Sequence, residues 1–241
     1  PTPVRQPLQP PCDLRAFPID ADQLDQLRPL RQLLAYSWHT PGNRGKDPLS
    51  SLFAAGPDFV EKGLVRSDFA AYGYANGVPM GGDLADIAED ESPSLLIRAL
   101  RDPDGADLDR LQVIKGWVDA DGSTQERVYD VACSDERAIV ANRCEREVGS
   151  TVDVENATCT NGIGLGFLDA YWRDPEFDPS KRALYYVRVI EIPTPNWTTY
   201  DAAFFDIDRP EGAKPEQQER ACTSPIWYTP ERTRAIQCRR R

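Results

Sequence analysis

The residue types able to do chemistry are unevenly supplied in this chain. Histidine is the usual proton shuttle at neutral pH and the commonest metal ligand, and the 241 residues include one, His39. A histidine-rich metal centre cannot be assembled from these residues alone, so the sequence reads as a non-catalytic module. Ser224 in the string TSPIW, with His39 and an aspartate, could nominally supply a hydrolytic triad. No GxSxG elbow presents its hydroxyl, however, and Pro225 favours extended backbone at Ser224. Cys133 could act as a nucleophile with His39 as its base, but nothing local in the sequence favours the thiolate.

Oxygen donors are plentiful. Asp102, Asp104, Asp107 and Asp109 crowd one loop, and Asp119 with Asp121 crowds a hairpin. The string DADGSTQE lacks the alternating carboxylates and terminal bidentate Glu of a calcium loop, so turn chemistry accounts for these residues better. Gly162, Gly164 and Gly166 in NGIGLGF do not follow GxGxxG spacing and no βαβ unit follows, which makes them a turn and not a phosphate loop.

The six cysteines, Cys12, Cys133, Cys144, Cys159, Cys222 and Cys238, form no CxxC pair, against a zinc ribbon or a thioredoxin-type motif. Cys133 and Cys144 bracket CSDERAIVANRC and are the disulfide candidate. Closing that small loop would stabilise by about 2 to 4 kcal/mol. Such a bond would place folding in an oxidising compartment, periplasmic or extracellular, whereas free buried thiols would suit a cytosolic protein.

Trp117, Trp172, Trp197 and Trp227, with Tyr185, Tyr186, Tyr200 and Tyr228, are numerous enough for a sugar-stacking platform, although aromatics in strands more often fill a core. Asp83, Lys115 and Trp117 are the candidates for contact with a ligand or a partner domain; the alternative for the two charges is an ion pair. The sequons at Asn156 and Asn196 matter only in a glycosylating pathway.

The elements that must position these residues are mostly strands. Residues 1–18 are proline-rich and read as an arm. From Asp20 to Trp38, Leu24, Leu27, Leu30, Leu33 and Leu34 recur at helical spacing, interrupted by Pro29, which predicts two short helices or a kink. After Gly77, apolar runs separated by Gly, Pro, Asp and Asn clusters predict a multi-stranded antiparallel domain. The strands expected are Ser94–Leu100, Leu111–Val118, Arg127–Cys133, Ala138–Arg143, Thr151–Cys159, Ala183–Ile192 and Arg220–Tyr228, with a hairpin turn at Asp119–Ser123. The fold class is mainly β, an antiparallel β-sandwich with an irregular, partly helical N-terminal arm. Residues 1–65 form that arm, 66–230 the sandwich and 231–241 a basic tail.

The net charge of -11, from 28 Lys and Arg against 39 Asp and Glu, repels phosphate backbones and argues against a nucleic-acid partner. The run Arg239–Arg241, with Arg232 and Arg234, reads as a solvated terminus. No apolar stretch approaches the roughly 18 residues that span a bilayer, and residues 1–20 lack a signal-peptide pattern. Met80 is the only methionine, so a truncated or processed product is expected.

Five strings, GYANGVPMGGDL (73–84), LDRLQVIKGWVD (108–119), VYDVACSDER (128–137), the run from DPEFDPSKRALYY to NWTTYDA (174–202) and ERACTSPIWYTP (219–230), resemble the C-terminal part of the bacterial domain-of-unknown-function family DUF3604. The resemblance covers about residues 70–230, with residues 1–65 outside the family segment. It implies a sandwich attached to a PHP-like metallohydrolase-related domain whose metal ligands are His and Asp. Neither the histidine-rich half nor its ligands has a counterpart here, so no catalytic residue, cofactor or metal site is assigned to this chain. A divalent metal is expected only in the missing domain, which is also the expected partner. The function expected is thus an accessory, non-catalytic region, truncated or split from its enzyme. The alternatives are a fragment contributing to a metal-dependent ester hydrolase site completed elsewhere, and an extracellular glycan-binding module.

Overall fold

The computed structural model describes residues 12–13, 49–55, 61–84, 87–88 and 90–230. The leucine-rich stretch 20–38, His39, Cys238 and the basic tail 231–241 lie outside the described residues. In chain order the elements are β1 (Cys12–Asp13), β2 (Leu49–Ala55), α1 (Phe69–Asn76), β3 (Val78–Pro79), β4 (Asp83–Leu84), β5 (Ser94–Leu100), β6 (Leu108–Val118), β7 (Thr124–Cys133) and β8 (Ile139–Val140). There follow β9 (Arg143–Cys144), β10 (Cys159–Thr160), β11 (Phe167–Arg173), β12 (Ala183–Glu191), β13 (Thr194–Pro195), α2 (Trp197–Phe205), β14 (Glu216–Gln217), β15 (Arg220–Cys222) and β16 (Ile226–Tyr228).

Two sheets carry the fold, one in the order β11-β5-β2-β3 and the other in the order β4-β16-β12-β6-β7, with β15 also on β12. Side-chain alternation along each strand decides which residues meet. Leu95, Ile97 and Ala99 of β5 face Leu111 and Val113 of β6 and Tyr185, Val187 and Val189 of β12 in one continuous core. The opposite face of β5 presents Leu96, which α1 covers through Phe69. Arg98, on that same face, lays its guanidinium 4.1 Å from the centre of the Phe69 ring. The architecture is therefore the β-sandwich the alternation predicts, with no closed barrel among the described residues.

β6 is flanked by β12 and β7 and buried over most of its length, which explains why its two faces do not separate into polar and apolar. The Asp119–Ser123 turn forms as expected, with Gly122 at φ +87 and the Asp119 amide donating to the Ser123 carbonyl at 2.9 Å. Three expected strands differ. The segment 138–143 is a hairpin of two-residue strands, β8 and β9, turning on Ala141 and Asn142 at positive φ. In 151–159 most of the run curls into a turn, because the Asp153 carboxylate accepts from the Glu155 and Asn156 amides and so offers the backbone a local alternative to a ladder. The stretch 220–228 splits into β15 and β16 at Ser224 and Pro225, after Thr223, whose amide donates to the Val187 carbonyl of β12 at 2.9 Å while its hydroxyl accepts from the Val187 amide. Among the further elements not anticipated from the sequence are α1, β11, α2 and several two-residue strands.

The sandwich also reaches further back than residue 66. β2 pairs with β5 over seven positions, from Leu49 opposite Leu100 to Ala55 opposite Ser94, so part of the region expected as an arm is a strand of the smaller sheet.

Candidate functional site

Two polar regions lie at opposite ends of the β6–β12 pair. At one end Tyr185 stands opposite Lys115, and at the other Ile190 stands opposite Arg110.

At the first end Lys115, 4% exposed, places its ammonium 2.6 Å from an Asp174 carboxylate oxygen and donates to the Glu176 carbonyl at 2.7 Å. The Tyr185 hydroxyl donates to the same Asp174 oxygen at 2.6 Å, and the Glu176 amide donates to the other at 3.0 Å. Both oxygens of the carboxylate are thus bonded, which is what a charge taken out of water requires. Trp172 packs 5.0 Å from the Tyr129 ring and 6.3 Å from the Tyr185 ring, closing the cluster on its inner side. Burial and the nearby Glu176 and Asp174 carboxylates push the Tyr129 hydroxyl up to about 12, and burial with the Asp174 charge pushes Tyr185 well above the ordinary phenol value. A void of about 210 Å³ beside Lys115 and Trp117 is lined also by Lys181 and Asp178, two side chains already paired with each other. The arrangement is an ion pair whose partners all come from within the sandwich, with the Trp117 ring beside it.

Asp83 is not part of it. It falls in the cross-strand row Asp83, Trp227, Leu184, Gly116, and alternation sends that row to the outer face while Lys115 turns inward. Of the three residues expected to make contacts, the fold brings Lys115 within cation–π range of Trp117, 5.4 Å from its ring centre, and leaves Asp83 exposed elsewhere.

At the other end a cleft of about 1520 Å³ opens between α2, β14 and the start of β6. Its floor holds Asp109, fully buried, whose carboxylate receives the buried Arg137 guanidinium at 2.6 Å, Gln218 at 2.9 Å and Arg110. Gln218 also donates to the Glu191 carbonyl at 2.9 Å, which ties β15's approach to β12. Arg137 comes from the loop closed by the disulfide between Cys133 and Cys144, the pair picked from the sequence. Cys159 is disulfide-bonded as well, and Cys222 is a free thiol. The Asp-rich strings serve turns and pairs: Asp102 accepts from the Asp104 amide, Asp121 from the Ser123 amide, and Asp107 pairs with Arg101 at 3.2 Å. Gly164 sits at φ +82 in the NGIGLGF turn, where its amide donates to Asp135.

One wall of the cleft is the start of α2. Asn196 caps this helix by accepting from the Thr198 amide, and Asp206 ends it in the left-handed region at φ 55. Its amphipathicity is inverted. The small Thr198 and Thr199 are buried, with the Thr199 hydroxyl donating to the Pro215 carbonyl at 2.6 Å. Trp197, Phe204 and Phe205, at positions i, i+7 and i+8 of one helical face, are 66%, 53% and 62% exposed, and Ile207 just beyond is 59% exposed. Phe204 and Phe205 meet edge to face at 86°, so these rings make no coplanar stacking platform for a sugar. Burial and the Glu219 charge push the Tyr200 hydroxyl up to about 12.

Sequence reasoning missed α2 and the Asp109–Arg137 pair. The signal for α2 was present as an Asn cap followed by a run whose large residues recur at 197, 204 and 205. The ion pair left no signal, since its partners are joined only by the fold.

A family model described as a protein of unknown function (DUF3604) matches residues 39–230, beginning well before the 70–230 segment expected to carry the resemblance. No curated protein and no solved structure matches the chain.

Proposed function

The chain belongs to the DUF3604 family, and from that premise we propose that it is a non-catalytic accessory β-sandwich that packs through the outward face of α2 on a PHP-like metallohydrolase-related domain. The observation that carries this reading is the inverted helix. A surface helix normally turns its large apolar residues inward, whereas α2 buries threonines and presents Trp197, Phe204, Phe205 and Ile207 to solvent. Contiguous exposed aromatics of this kind mark interaction surfaces. Any divalent metal and the hydrolytic chemistry belong to the partner domain. The Cys133–Cys144 bond supports folding in an oxidising compartment, periplasmic or extracellular.

The test is to mix the chain with the metallohydrolase-related domain of its own genome and follow association by sedimentation, using wild type and a W197S/F204S/F205S variant. Association of the wild type and its loss in the folded variant are expected; equal association of both would overturn the reading. Stoichiometric tight metal together with ester turnover by the chain alone would overturn its non-catalytic part.

A further inference from the structure

We infer that the surface covering α2 is a polypeptide face with an apolar centre and a Lys/Arg rim, one basic segment of which lies along the adjoining cleft. This rests on the docking reading above and adds the chemistry of the partner.

The argument is one of charge complementarity around an aromatic centre. Asp201 lies on the same helical face as Trp197, Phe204 and Phe205 and is exposed. Asp206, Asp208 and Glu211 follow, all exposed, while the one basic residue of the stretch, Arg209, is half-buried. The cleft shares Trp197 and Tyr200 with this face, so the two surfaces are continuous. Its acidic side chains, Asp104, Asp109, Glu147, Glu191, Glu216 and Glu219, outnumber Arg110, Lys214 and Arg220, with Asp109 and Glu191 buried beneath the surface and setting its field rather than touching a partner. Asp109 is neutralised by Arg137, but Asp104 and Glu147 stand exposed at the rim. An apolar centre ringed by one sign of charge selects a partner ringed by the other and steers its approach. The same field disfavours anionic lipid and nucleic acid, which leaves a basic protein surface as the occupant.

Two designed amphipathic helical peptides of equal length serve as probes, one of Leu and Lys and one of Leu and Glu, titrated onto the intact chain with amide hydrogen exchange read at 197–207. The Leu/Lys peptide is expected to bind, to protect 197–207 and to weaken as salt is raised. A D201K/D206K/D208K variant should lose about tenfold in affinity, and a control E126K/E136K/E155K variant, with the same charge change on exposed sites elsewhere, less than about twofold. Equal binding of both peptides, equal loss in both variants, or protection of 197–207 by phosphatidylcholine vesicles would each overturn the assignment. The cognate domain separates this inference from the one beneath it. If it protects 197–207 equally in native chain and charge variant, docking stands and the basic rim falls; if it protects neither, docking itself falls.

Discussion

The Lys115 cluster and the α2 face, at opposite ends of the same pair of strands, show two opposite uses of residues that look alike in sequence. Both combine aromatic rings with charged side chains. At the Lys115 end every charge has found its partner inside the sandwich: Asp174 accepts from Lys115, Tyr185 and the Glu176 amide, and Trp172 packs on Tyr129. At the α2 end the small residues have gone inside and the rings outside. The first region is finished by its own chain, the second leaves its rings in solvent. Buried ion pairs and exposed rings therefore make contrary predictions about stability and association.

The largest expected effect on stability is at the finished end. Replacing Lys115 by Ala leaves the Asp174 carboxylate buried without its cation, at a cost of about 3–5 kcal/mol, measured by urea unfolding. A matched K115M/D174L double variant should recover much of that loss, since it removes both charges together. Opening the Cys133–Cys144 loop with C133S/C144S should cost about 3 kcal/mol by the same measurement. Gly164→Ala is next, at about 1–3 kcal/mol, because φ is +82 and the new Cβ would sit 2.7 Å from the Ile192 methyl and 2.9 Å from the Asp107 Cβ. Gly122→Ala, with open space around it, carries only the backbone penalty of about 1 kcal/mol.

The tyrosines sharpen the contrast by pH. The folded values of Tyr129 and Tyr185 lie above the unfolded phenol value, so the folded state keeps protons that the unfolded state has released. The Tyr129 contribution is fully present below about pH 10 and is lost as pH rises through about 12, and Tyr185 acts in the same direction; unfolding midpoints measured across that window should fall, and less steeply in Y129F. The smallest stability effect is expected at α2, where W197S, F204S and F205S should each stay within about 0.5 kcal/mol of wild type. A loss of 2 kcal/mol or more at any of them, on the order of a core truncation, would make that face structural after all.

Much of the sandwich was legible because alternation and turn residues are local signals. Ser94–Leu100 came out with its observed bounds, and the β6–β7 hairpin was readable from Asp119–Ser123. β11 was missed because FLDAYWR mixes its faces: Leu168, Ala170 and Trp172 turn toward the core, while Phe167 and Tyr171 on the other face are also aromatic. The disulfide was readable from the spacing of Cys133 and Cys144, yet its consequence, the placing of Arg137 against Asp109, depends on contacts far apart in sequence. Lys115 was singled out as a contact residue and its partner proved internal, because Asp174 lies beyond the end of β11, a strand the sequence did not announce. At α2 the aromatics were read as core or as a sugar platform, since composition cannot say which face of a helix meets the sheet.

Hydrogen exchange at the amides of 197–207, compared between this chain alone and the chain together with the proposed metallohydrolase-related partner domain, tests the central claim most directly. Slower exchange confined to 197–207 and the cleft rim, with the Lys115 end unchanged, is the expected result. Identical exchange in the two states at 197–207, with the two proteins shown to be mixed and folded, would contradict it.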